Sequence, residues 1–371
     1  MKKRVLWLDY VRALSIFLVV LTHSIEGVYA LSREAVLANS TISKIFLFGA
    51  FNLTRHGVPL FLMISGWLLL SRNFVLKSSD ADPNEKTYYC VDFWKNNLLR
   101  LLITVEIWIV IYHIYFMIIN QAEFDFVKLL RQMLLIDGLG LSHEWYIYAI
   151  LAIYAFLPFV AYVLNHIDLK NLVFPIVLTV MVAFVLPSLT TILNTHVDDW
   201  DFSKFGSPAV YSRMNLYYSG GAYGFYLLCG YLVRKKVFSK IKSRYLILIS
   251  VLSFVAGTAF QWESYLYSNG YLIWYDFFTL LPACVSIFEL CSRIQFRENL
   301  FSELITNISR ASFGIYLVHN LFLICFFRYV KLNFKLPINV CAYCVVAFLC
   351  SWCLINLISK IPKVGKYISY M

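Results

Sequence analysis

Ionisable side chains interrupt otherwise apolar stretches of this chain in a few places. Their types and spacing suit acid–base chemistry on a ligand with an anionic head. In WLDYVRALSIFLVVLTHS, Arg12 and His23 are eleven positions apart. On a helix that spacing returns to within about 20° of the same face and rises about 16 Å. One face therefore offers a permanent cation at one end and an imidazole that can move a proton at the other. Asp9 is placed to pair with Arg12 at i, i+3. In TRHGVPLFLMISGWLLL, Arg55 and His56 precede Gly57 and Pro59, which weaken a helix and free backbone groups around a cavity. Arg55 is read as functional and Ser65-Gly66 as close helix packing. SHEWYIYAILAIYAFLP opens on His143 and Glu144, a pair suited to acid–base or sugar-binding work. For the following Trp145 and Tyr146 an interfacial aromatic belt is an equal alternative. SRASFGIYLVHNLF carries Tyr316 and His319, with Ser309 or Ser312 expected to cap the helix. WKNNLLRLL carries Lys95 and Arg100, which could meet an anionic ligand from a helix end. For Lys95, snorkelling is the plainer reading. His113 reads as structural.

The elements that must position these residues are membrane helices. Of 371 residues, 60% are hydrophobic and only 14% charged. A soluble domain would have roughly 45–50% and 25%, so soluble, disordered and disulfide-scaffold classes are excluded. At about 20 apolar residues per crossing, the chain divides into about ten spans. The first five are Trp7–Val28, Ile45–Leu70, Phe93–Ile119, His143–Leu164 and Leu172–Leu193. The second five are Leu216–Val233, Tyr245–Trp262, Tyr271–Cys291, Ile308–Phe327 and Leu336–Ser359. The fold class is all-α, a polytopic membrane protein forming one domain over 1–371 with no soluble catalytic domain. The first span carries Asp9, Arg12 and His23 and reads as a helix rather than a cleaved signal peptide. Lys2, Lys3 and Arg4, the run Arg234–Arg244, and Lys360, Lys363 and Lys366 fall on one side of an even span count. Both termini are therefore expected to be cytoplasmic. The net charge of +11 reads as a topology and lipid-headgroup signal. Nucleic acid is not an expected partner, because the cations are spread over separate loops. The nine cysteines form no pairing framework, and Cys341-x-x-Cys344 reads as small hydrophobes in a helix.

In chain order, the blocks WLDYVRALSIFLVVLTHS, TRHGVPLFLMISGWLL, HEWYIYAILAIYAFLPF and ISRASFGIYLVHNLFL resemble those of the acyltransferase-3 superfamily of polytopic membrane enzymes. NLYYSGGAYGFYLLCGYLVRK is a weaker fifth match. The resemblance is closest to the bacterial group typified by the enterobacterial common antigen O-acetyltransferase, and it runs from residue 7 to about 325. It implies transfer of an acyl group, usually acetyl from cytoplasmic acetyl-CoA, to a hydroxyl of a glycan or lipid-linked sugar. That activity would sit in the bacterial inner membrane, with no metal and no permanently bound cofactor. The family's Arg-x10-His pair falls on Arg12 and His23. Many members carry Arg-x-x-Arg at the start of the third helix. Here the first position is Asn97, which leaves Arg100, with Lys95 as the possible substitute.

These residues suit the following scheme. Arg12, Arg100 and Lys95 bind the phosphates of CoA. His23 acts as general base or carries the acyl group. Arg55 stabilises the oxyanion. His143, Glu144, Trp145, Tyr316 and His319 orient the acceptor. The rival reading is a secondary transporter or flippase, to which broken helices and buried charges are also suited, but no inverted repeat is visible. A nonenzymatic scaffold would leave buried Arg12, His23 and Arg55 unexplained, at roughly 2.5–3.5 kcal/mol or more each.

Overall fold

A computed structural model describes residues 4–29, 33–75, 86–141, 143–189, 192, 221–267, 273–330, 332, 336–362 and 365–370. Lys2, Lys3, Lys363, the 194–215 loop and the start of the sixth expected span (216–220) lie outside these. So do the first residues of the eighth (271–272) and residues 190, 191 and 193 of the fifth.

The chain is an all-α polytopic membrane protein. Among the described residues, eight helical segments are long and apolar enough to cross a membrane. We name them with the shorter helices in chain order. α1 is Leu6–Tyr29, α2 Thr41–Thr54 and α3 Gly57–Leu69, the last two forming one segment, Thr41–Leu69. α4 is Cys90–Asn120, α5 Phe126–Met133, α6 Trp145–Asn165 and α7 Leu169–Leu189. α8 is Gly221–Arg234, α9 Ser243–Tyr267, α10 Leu280–Ser292, α11 Leu300–Tyr329, α12 Pro337–Ser359 and α13 Gly365–Ile368. The eight segments match eight of the ten expected spans, and α8 and α10 fall within the sixth and eighth. α10 is short at 13 residues, and 14 residues of α8 are described. One short parallel strand pair, β1 (Asn73–Val75) and β2 (Thr87–Tyr89), follows α3.

α1 is the central post, packed against α3, α10, α11 and α12. Its hydroxyls are satisfied within the helix: Ser15, Thr22 and Ser24 each donate to the carbonyl four residues back. Among apolar neighbours that removes the cost of an unpaired polar group. α3 crosses α8 with almost no side chain between them. A Cβ on Gly66 would run into the Leu227 carbonyl, and one on Gly230 into that of Met63. Gly66 therefore packs, as the small-residue pair suggested, and Gly230 is its partner.

The second segment breaks where Gly57 and Pro59 lie. α2 ends at Thr54 and α3 begins at Gly57, with Arg55-His56 as the link. Pro59 is the third residue of α3, where an N–H has no intrahelical partner to lose. His56 is buried, and its Nδ1 bonds the carbonyl of Leu53 at 2.9 Å, which satisfies backbone that the break leaves open.

Two local expectations change. Neither Ser309 nor Ser312 caps the ninth span. α11 starts at Leu300 under a capping box made by Asn299 and Ser302, a stronger start signal than an isolated serine. Ser309 lies inside the helix and donates to Asp9 at 2.6 Å. Asp9 also takes a forked pair of bonds from Arg4, at 2.5 and 2.7 Å. Its carboxylate is thus filled by Arg4 and Ser309 rather than by Arg12, because an arginine fork satisfies both oxygens at once.

Candidate active site

Three histidines, two on helices and one on a turn, meet at one side of α1. His23 comes from α1, His143 from the turn that leads into α6, and His319 from α11. Their ring centroids are 5.7 Å (His23–His143), 5.3 Å (His23–His319) and 4.9 Å (His143–His319) apart. His143 and His319 are buried, with 2% and 0% exposure. His23 and His143 line a small cavity with Thr22, Trp145, Tyr146, Tyr275 and Tyr316. The cavity is tight, far smaller than a whole-ligand pocket.

Neighbours assign each ring its proton. His23 Nδ1 lies 2.9 Å from Glu26 Oε2, one helical turn on. A carboxylate can only accept, so Nδ1 carries the hydrogen and Nε2 keeps its lone pair. His319 Nδ1 donates to the Tyr316 carbonyl at 2.7 Å. Its Nε2 is a buried acceptor with no hydrogen-bond partner among the described residues. His143 is the opposite case. The Asn320 amide nitrogen donates to its Nδ1, which leaves the proton on Nε2. The cluster thus presents two imidazole acceptors and one donor.

The second oxygen of Glu26 accepts from Arg55 Nη2 at 2.9 Å. Glu26 therefore bridges the imidazole of α1 and the guanidinium at the α2–α3 break. Arg55 is only 3% exposed. It is walled by Phe51 at 4.3 Å and Trp274 at 4.6 Å, and reaches the Tyr275 hydroxyl at 3.4 Å. An ion pair in apolar surroundings holds together because removing either partner leaves the other charge uncompensated. Glu26 was missed in the sequence reading. The signal that could have found it is His-x-x-Glu at i, i+3 on one helix.

The other expected site residues divide. Trp145 stacks on Tyr223 at 5.0 Å and lies 5.3 Å from Tyr275, an aromatic wall beside the cavity. Tyr316 donates to the His143 carbonyl at 2.6 Å and so anchors that loop. The Glu144 carboxylate accepts from the backbone N–H groups of Leu139 and Leu141, at 2.6 and 3.4 Å; it folds its own loop. Arg12 is half-buried two turns into α1, within electrostatic reach of Asp9 and, more weakly, of Tyr154 and Tyr146. Among the described residues its guanidinium makes no hydrogen bond or ion pair. Arg100 donates to the Lys366 carbonyl at 2.8 Å and lies over Tyr370 at 4.9 Å, which couples it to the C-terminal segment. Lys95 is exposed on the π-helical turn Trp94–Leu98. His113 bonds the Gln132 side chain at 2.9 Å, tying α4 to α5. Of the ten expected site residues, His23, His143, Trp145, Tyr316 and His319 converge, with Arg55 joined through Glu26. Arg12 lies along α1 from them, and Arg100 and Lys95 belong to the end of α4.

Searches among curated proteins and among solved structures returned no match. The family model described as an acyltransferase domain, acyltransferase-3, matches residues 5–356.

Proposed function

The chain belongs to the acyltransferase-3 family, and on that premise we propose that it moves an acetyl group from acetyl-CoA to a hydroxyl of a glycan. The acceptor is a cell-surface or lipid-linked sugar. The enzyme acts in the bacterial inner membrane and takes its donor from the cytoplasm.

The observation that carries the reading is the chain Arg55–Glu26–His23, which ends in an imidazole acceptor at a cavity. A base oriented by a carboxylate is what transfer to a neutral hydroxyl needs. His23 Nε2 takes the proton as the acceptor oxygen attacks the thioester carbon. The carbonyl π pair moves to oxygen, and His143 Nε2–H is the donor available to that oxyanion. The intermediate then collapses, the carbon–sulfur bond breaks, and the proton on His23 passes to the thiolate. The products are CoA thiol and an O-acetyl ester, with no net proton gained. Glu26 compensates the imidazolium while it lasts, and Arg55 keeps Glu26 ionised and in place. Trp145, stacked on Tyr223, gives the acceptor sugar a flat apolar face. His319 Nε2 can accept from one of its other hydroxyls.

The test uses purified protein in lipid nanodiscs with radiolabelled acetyl-CoA and a lipid-linked sugar fraction. Wild type is expected to label the sugar and His23→Ala to lose the label. Full transfer by His23→Ala would sink the reading, and CoA-independent movement of sugar across the membrane would favour a transporter. A glycan O-acetylation profile of cells with and without the protein identifies the acceptor.

A further inference from the structure

Beyond the catalytic cluster, a group of arginines gathers at the end of the bundle where α1 begins. Arg72 follows α3, and its guanidinium lies 4.9 Å over the Tyr88 ring of β2. Arg234 ends α8, lies 4.3 Å over the Trp67 ring and donates to the Trp67 carbonyl at 3.0 Å. The two arginines are within electrostatic reach of each other. Tyr154 of α6, in hydrogen-bond contact with Ser65, sits within reach of both Arg72 and Arg12. The nearest carboxylate on α1, Asp9, is filled by Arg4 and Ser309. Among the described residues none of Arg12, Arg72 and Arg234 has an ion-pair partner. Asp9 acts on Arg12 only from a distance, and Arg72 and Arg234 have no carboxylate bonded to them among the described residues; like charges held together repel, so such a set favours the company of an anion. The three form a graded series, with Arg234 exposed and Arg72 and Arg12 half-buried. Inward from them, Arg12 is within electrostatic reach of Tyr146, which lines the cavity.

We propose that Arg72 and Arg234, with Arg12, form the site that grips the phosphate groups of the donor. They take the part that the third-helix residues Arg100 and Lys95 were expected to play. This rests on reading the donor as a CoA thioester. Three planar cations suit a ligand with several phosphates, because each guanidinium can fork onto one phosphate. The about 16 Å between Arg12 and His23 along α1 is then spanned by the uncharged arm that carries the thioester to the cavity. Arg100 contributes instead by holding the C-terminal segment.

Titration calorimetry on the nanodisc-embedded protein separates the possibilities, with CoA, adenosine 3′,5′-bisphosphate and pantetheine as probes. Arg72→Gln and Arg234→Gln are each expected to weaken CoA and the bisphosphate about tenfold or more, as loss of a charge-assisted contact does. Pantetheine, which has no phosphate, should change less than about twofold, as should CoA binding to Arg100→Gln and Lys95→Gln. Arg72→Lys should recover part of the loss. Arg234 also supports Trp67, so Arg72→Gln, which breaks no side-chain hydrogen bond among the described residues, decides the matter. Unchanged CoA binding by Arg72→Gln overturns the proposal and leaves the donor reading intact. If wild type binds no CoA, the donor reading falls. The phosphate site then survives only if bisphosphate binding still depends on Arg72, and is overturned if it does not.

Discussion

At the scale of single residues, the proposed chemistry turns on how His23 is held. The eleven-residue spacing made Arg12 and His23 legible in the sequence, because helix geometry alone places them on one face. Glu26 was not legible as part of the site. A carboxylate near the end of a span reads as an interfacial flank, and its second partner, Arg55, is 29 positions away. Only packing α1 against the α2–α3 break brings them together. Glu26→Gln tests the arrangement. Glutamine keeps nearly the same shape but removes the charge that compensates both the imidazolium and Arg55. The expected result is a fall in kcat of about 10²–10⁴-fold, with the KM for acetyl-CoA nearly unchanged. Steady-state rates at saturating donor measure it, and a variant with wild-type kcat would remove Glu26 from the mechanism. Arg55→Ala should resemble Glu26→Gln in kcat, because Arg55 acts on His23 through Glu26.

At the scale of elements, the apolar runs identified the helices, but not the contacts between them. Ser65-Gly66 signalled a close approach without naming the partner, because two helices that meet through glycine leave no matching apolar stripe to read. The partner is Gly230 on α8. This crossing also sets the end of α8 beside the end of α3, and so sets Arg234 beside Trp67 and Arg72. Gly66→Val and Gly230→Val must each force the two backbones apart. The cost is about 1–3 kcal/mol for the overpacking. Each variant should melt at a lower temperature than wild type in detergent. Each should also lose CoA affinity out of proportion to its loss of helix content by circular dichroism, since the two arginines separate with the helices. Equal melting temperatures would mean that the crossing is looser than its geometry. The cap of α11 was misread for a related reason. Ser309 looks like a helix start only while its long-range partner Asp9 is unknown.

At the scale of the whole molecule, the arrangement has a direction. The C-terminal segment runs back along α4: Thr104 donates to the Tyr367 carbonyl and Trp108 to that of Ile368, at 2.6 and 2.9 Å. Tyr370 packs on Phe313 of α11 at 4.9 Å, one turn from Ser309, which bonds Asp9 near the start of α1. The two ends of the chain therefore share one end of the bundle, the end that carries Arg12, Arg72 and Arg234. The Lys/Arg distribution predicts that this end faces the cytoplasm, where a CoA donor would be found. Reporter fusions check this. A green fluorescent protein fused to either terminus should fluoresce, and alkaline phosphatase at either terminus should be inactive. An active phosphatase fusion at the C-terminus would reverse the orientation. The arginine site would then face away from the compartment that supplies CoA, and the donor assignment and the phosphate site would fail together.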